Sequence, residues 1–98
     1  MLMSAGDVEK IRKHYRLSYK AFSDLTGLSP SLIYHIEKGE RALTSHSAEI
    51  IVNKFNLNLE KINAIQQEAR KLEREKADLF AGLFRKGIND LNGKAKEF

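Results

Sequence analysis

The chain contains no cysteine. That absence excludes a disulfide-stapled scaffold, a zinc ribbon and a thiol nucleophile together. Proline occurs only at position 30, and glycine at 6, 27, 39, 82, 87 and 93, so the stretches between these breakers are free to be helical. No segment alternates polar and apolar residues over strand length, and the longest aliphatic run is Ile50-Ile51-Val52. A membrane span needs roughly 20 apolar residues. The first residues, Met1 to Asp7, lack both the basic and the long apolar part of a signal peptide. The expectation is a soluble protein working in a reducing cytoplasm, with no membrane partner.

With 98 residues the chain is one small domain and an appendage, burying roughly 65% of its unfolded surface. Seventeen Lys and Arg against thirteen Asp and Glu leave a charge of +4, a mild bias toward a polyanionic partner. Lys10, Arg12, Lys13, Arg16 and Lys20 follow one another with no acid among them, which reads as a basic helix face or as ordinary solvated charge. The acids elsewhere are dispersed, and His14, His35 and His46 have neither cysteines nor paired acids at ligand spacing. No enzyme, no metal site and no cofactor are expected.

Five helices are predicted, making the chain all-α. The first starts near Asp7, as N-cap, and turns Val8, Ile11 and Tyr15 to one face. Ser18 caps a second over Tyr19 to Thr26, burying Phe22 and Leu25 and ending at Gly27. Ser29 followed by Pro30 opens a third, with Leu32, Ile33 and Ile36 inward and a stop at Gly39. Thr44 or Ser45 caps a fourth carrying Ile50, Ile51 and Phe55, and Asn58 a fifth that runs unbroken to Gly82.

Residues 17–41, LSYKAFSDLTGLSPSLIYHIEKGER, resemble the helix-turn-helix of the Cro- and lambda-repressor-like (XRE) regulators. The resemblance covers about residues 7–62 and rests on Ser23, Gly27, Ser29, Ile33, Ile36, Glu37 and Gly39 in step. Ser23 stands where the family commonly has alanine. The resemblance implies a lambda-repressor-like five-helix domain over 4–62, with the third helix in the major groove of double-stranded DNA. By the family pattern Pro30, Ser31, Tyr34 and His35 fall at base-reading positions. Ser31 can donate or accept, His35 can donate to guanine N7 or O6, and Tyr34 can pack on a thymine methyl or reach a phosphate. None of the four is Gln, Asn or Arg, so bidentate purine contacts are missing and DNA shape, water or a loop arginine must supply more of the specificity. Tyr19 stands where the family commonly has glutamine; it, Lys20, Lys38 and Arg41 are the phosphate candidates. Arg12 and Glu37 correspond to an ion pair that braces the third helix.

Ile62, Ile65, Ala69, Leu72, Lys76, Leu79 and Leu83 recur at three- and four-residue steps, a heptad-like seam amid polar residues of mixed sign. Residues 63–85 are therefore expected to form an oligomerisation helix, coiled-coil-like, making a homodimer. Phe80, Leu83 and Phe84 folding back onto the bundle is the intramolecular alternative. Residues 86–98 read as a loose, flexible tail. The function implied is a dimeric transcriptional regulator, of the phage, plasmid or mobile-element repressor type, on a pseudo-palindromic operator. An antitoxin or interaction module, holding a protein partner by its C-terminal helix, is the competing reading.

Overall fold

A computed structural model describes residues 2–97, and side chains as far as Gly82. The helices are α1 (Ala5–His14), α2 (Tyr19–Thr26), α3 (Pro30–Glu37), α4 (Ser45–Lys54) and α5 (Leu59–Glu97). Local chemistry sets most of their ends. The hydroxyls of Ser18, Ser29 and Thr44 accept the N–H groups of Ala21, Leu32 and Ser47 at 3.0, 3.1 and 3.1 Å. Asn58 Oδ1 does the same for Lys61 N–H at 2.8 Å. Each contact satisfies one donor that a helix start leaves unpaired.

The first helix starts earlier than the sequence reading has it. Ser4, not Asp7, is the N-cap, and Asp7 reaches back from the third helical position: its Oδ2 accepts the Ser4 backbone N–H at 2.8 Å and the Ser4 hydroxyl at 3.1 Å. Its Oδ1 takes the Gln66 amide at 2.9 Å. Burial alone would raise the carboxyl's pKa, but these donors outweigh it and hold the group below its ordinary value. Two helices close without glycine. Arg16 (φ 56°) and Asn56 (φ 50°) take the left-handed conformation after α1 and α4, and the following N–H groups return to the helix: Leu17 to the Arg12 carbonyl at 3.0 Å and Leu57 to the Val52 carbonyl at 2.9 Å.

Helix α1 packs on α3 and α5, and α2 on α3 and α4. Phe22, Ile11, Ile33, Ile36, Ile51, Ile62 and Val8 are fully buried at the centre. Around them Met3, Leu28, Leu43, Leu57 and Ile65 close the core. The Phe55 ring stacks between Phe22 and Tyr15, with centroids 5.5 and 4.7 Å away. Leu25, expected inside, is exposed. The two-turn α2 buries only one stripe, Phe22 and Thr26. The Thr26 hydroxyl is satisfied there by the Phe22 carbonyl at 2.8 Å, and Leu28 fills the adjacent core space.

The seam on α5 divides. Ile62 and Ile65 belong to the bundle core rather than to an oligomer interface, being 1% and 4% exposed against α1. Ala69 is half-buried. Beyond it Leu72 and Leu79 are exposed, as is Phe80, which therefore does not fold back. Lys76 is exposed between them; the Leu83 and Phe84 side chains lie outside the described residues. The bundle thus extends past residue 62, through Gln66 on Asp7 and Glu68 Oε2 on His14 Nδ1 at 2.7 Å. Helix α5 also continues to Glu97, where a breaker at Gly82 and a loose tail over 86–98 are predicted. A glycine inside a helix costs only about 1 kcal/mol, and Gly82 keeps helical dihedrals, unlike Gly27 and Gly39. No described helix is both long and apolar enough to cross a membrane.

Candidate nucleic-acid interface

The turn between α2 and α3 is built from local bonds. Gly27 takes φ 79° and returns its N–H to the Ser23 carbonyl at 2.8 Å, a conformation that a side chain would strain. Leu28 N–H meets the Thr26 hydroxyl at 3.2 Å, and the buried Leu28 side chain anchors the turn. Ser29 caps α3 and Pro30 occupies its first turn, where a missing N–H is harmless.

One face of α3 is fixed inward by Ile33 and Ile36. The other presents Pro30, Ser31 and Tyr34, all exposed, and a half-exposed His35. The Tyr34 ring lies edge-on to Tyr19 of α2 at 5.8 Å and to His35 at 5.3 Å, with Lys38 Nζ 5.5 Å from its centroid. The structure therefore brings all four predicted base-reading residues to one face, beside Lys38. Arg41, in the loop after Gly39, shares a shallow pocket with Ser29, Ser31, Leu32 and His35. Lys20 is exposed in the first turn of α2, with no ion-pair partner among the described residues.

Behind this face α3 is braced. Arg12 Nε and Nη2 donate to the two carboxylate oxygens of Glu37 at 2.7 and 2.9 Å, and Nη1 donates to the Leu17 carbonyl at 2.9 Å. The Glu37 side chain is 1% exposed. The Glu37 carboxylate, which unpaired would repel phosphates, is thereby neutralised, and its hydrogen bonds raise the pKa of the guanidinium despite burial.

Tyr19 departs from its predicted role. Its hydroxyl donates to Glu37 Oε1 at 3.2 Å and its ring lies 4.2 Å beneath the Arg12 guanidinium carbon. A phenol has one proton to donate, and here Glu37 holds it, so none is left for a phosphate oxygen. Tyr19 completes the brace instead. The run from Lys10 to Lys20 is not a single basic face either: Arg12 turns inward to Glu37, Lys13 Nζ pairs with Glu9 at 2.6 Å, and Lys10 faces a groove against α5.

Sequence reasoning missed three contributors here. Glu40 contacts the His35 ring, His14 ties α1 to Glu68, and Gln66 reaches Asp7. Only the first had a local signal, an acid just past a glycine that turns the chain back. Among the described residues, no group of three or more His, Asp or Glu side chains is placed to hold a metal ion.

A family model described as helix-turn-helix matches residues 8–62, more than half of the chain. No curated protein and no solved structure matches it. The match begins on α1, carries the Arg12–Glu37 brace and both helices of the turn, and ends at Ile62, the first core residue of α5. The chain belongs to the Cro/lambda-repressor-like (XRE) helix-turn-helix family and is a DNA-binding regulator with the lambda-repressor-like all-α fold.

Proposed function

We propose that this protein is a sequence-specific repressor, of the kind found on phages, plasmids and mobile elements, that binds a pseudo-palindromic operator as a homodimer. The observation that carries this reading is the polar, outward face of α3, Pro30, Ser31, Tyr34 and His35, held on a helix whose opposite face is locked into the core. In such motifs the first turns of the second helix enter the major groove while the first helix crosses the backbone. Ser31 and His35 supply the hydrogen bonds to base edges; Tyr34 and Pro30 supply apolar contact. Lys38 and Arg41 flank them and Lys20 stands at the start of α2, so phosphates on either side of the groove meet cations. The free backbone N–H groups at that helix start favour the same charge.

Dimerisation is read from the outer turns of α5. Ala69, Leu72, Lys76 and Leu79 continue one face beyond the bundle, with Leu72 50% and Leu79 66% exposed, and two such faces covering one another remove that apolar surface from water. Two heads so joined address half-sites about 34 Å apart. Occupying such an operator excludes polymerase.

Selection of bound sequences from a random duplex library tests the reading. Enrichment of two related half-sites in inverted orientation, centred about one helical turn apart, is expected. A population with no enriched sequence, or one that Ser31→Ala and His35→Ala leave fully specific, would overturn it.

A further inference from the structure

The loop after α3 is folded back on the helix it leaves. Gly39 adopts φ 76°, and the His35 carbonyl then accepts two backbone N–H groups, from Glu40 at 2.9 Å and from Arg41 at 3.1 Å. This closure brings the Glu40 carboxylate onto His35 Nδ1. The ring is gripped on one nitrogen while its side chain remains 40% exposed. An ionised carboxylate accepts hydrogen bonds and donates none. Nδ1 therefore carries a hydrogen in this contact whether the ring is charged or not. A neutral imidazole holds a single N–H, so its other nitrogen, Nε2, is left with a lone pair.

We propose that Glu40 is a specificity-determining residue that acts through His35: by fixing the Nδ1–H tautomer it makes neutral His35 a hydrogen-bond acceptor toward DNA. The base edge it takes is then one with an exocyclic amino group in the major groove, adenine N6 or cytosine N4, and not the guanine N7 or O6 that donating histidines contact. Adding a proton to the ring reverses the choice, since Nε2 becomes a donor and guanine becomes the matching partner. The ionisable groups around the ring are Glu40 and Arg41 from the loop and Tyr34 from α3 itself. Lys38 and Tyr19 lie beyond, against Tyr34. Glu40 touches no base in this scheme; it is a positioning residue. The proposal rests on α3 being the base-reading helix.

Two measurements on the full chain test it and separate it from that reading. The first needs no DNA. Nitrogen NMR of the imidazoles, with His35→Ala for assignment, is expected to show neutral His35 as the Nδ1–H tautomer at about pH 8.5, against the Nε2–H form that an unconstrained imidazole prefers. Glu40→Ala is expected to return it to Nε2–H. The second is duplex selection at about pH 8.5. The base pair relaxed by His35→Ala is expected to be an adenine or cytosine contact, preferred about fivefold or more. Glu40→Ala should abolish that preference. An Nε2–H ring in the unaltered protein overturns the proposal whatever the selection yields. A selected site with guanine at the His35 position at high pH, or no position relaxed by His35→Ala, overturns it while leaving α3 as the reading helix. An Nδ1–H ring with no sequence enriched overturns the reading of α3, and the proposal with it.

Discussion

Arg12 and Glu37 lie 25 residues apart in the chain and meet through two parallel N–H···O bonds of 2.7 and 2.9 Å. The pair joins α1 to the last turn of α3, and Tyr19 closes it by bonding Glu37 Oε1 while its ring supports the guanidinium. The outward face of α3 thus takes its orientation from a polar clasp as well as from Ile33 and Ile36.

Removing half of the clasp should cost far more than removing a surface pair. With the Glu37 side chain 1% and the Arg12 side chain 10% exposed, Glu37→Ala leaves a buried guanidinium without its counter-charge, at a cost of about 3–5 kcal/mol. Arg12→Lys keeps the charge but loses the fork and should fall between. Urea denaturation of the three proteins checks this; a loss under about 1 kcal/mol for Glu37→Ala would show the pair to be incidental.

Tyr19 and the phosphate candidates should separate cleanly. Tyr19→Phe removes only the hydroxyl on Glu37 and is expected to cost about 1 kcal/mol of stability with the salt dependence of DNA binding unchanged. Lys38→Ala and Arg41→Ala should leave stability nearly intact and reduce the slope of log K against log salt by about 0.9 each. Filter binding across a salt series distinguishes them. Tyrosine is neutral and adds nothing to that slope, so weaker binding by Tyr19→Phe at every salt concentration would return the residue to the phosphate set.

Ile65 and Leu79 share a heptad face and should fail differently. Ile65→Ala opens a core cavity and is expected to lower stability by about 2–5 kcal/mol. Leu79→Lys should leave the bundle folded and convert dimers to monomers, seen by sedimentation equilibrium beside a circular dichroism melt. A Leu79→Lys protein still dimeric, with Leu72→Lys also without effect, would remove this face from the interface.

The Asp7 carboxyl, held below its ordinary value, adds a defined acid sensitivity. A group whose folded-state pKa is depressed contributes stability that is complete above the unfolded value, near pH 4, and is lost as pH falls through the folded one. Stability should therefore decline below about pH 5, and Asp7→Asn should flatten that decline while lowering stability at neutral pH. Melts from pH 7 down to about pH 3 test the sign; an Asp7→Asn protein with the full acid-limb slope would contradict it.

Arg16 holds a left-handed conformation, φ 56°, on the exposed end of α1. A β-carbon costs on the order of 1 kcal/mol there, so Arg16→Gly is expected to raise the melting temperature by a few degrees. A fall would mean that the arginine side chain offsets the strain.

What could be read from the sequence was what is decided within a few residues. Ser29-Pro30, Gly27 and Asn58 mark helix ends because the groups they satisfy are three or four positions away. Ser4 and Asp7 show the same three-residue step, and reading it as a reciprocal cap would have placed the start of α1 correctly. The seam on α5 was legible as a pattern but not as a surface: periodicity says that one face is apolar, and only the tertiary arrangement says that α1 covers Ile62 and Ile65 and not Leu72. Contacts far apart in sequence left no trace of this kind. Gln66 on Asp7 and Glu68 on His14 join polar residues indistinguishable from neighbours that face water. The Arg12–Glu37 clasp came into view only through likeness to a family, and its third member, Tyr19, did not, because the hydroxyl's direction is set by where α3 lies.

The bonds from Gln66 and Glu68 back to α1 give the recognition domain and the stem of α5 a common frame. A turn imposed on the stem is then a turn imposed on the reading head. One residue inserted between Glu68 and Leu72 advances everything beyond it by about 100° and 1.5 Å relative to the bundle, with no side chain in the head altered. Were two copies to clasp one another by these outer turns, as proposed, that insertion would reset the angle between their heads, and with it the spacing of the DNA they address, without touching the vocabulary of base contacts.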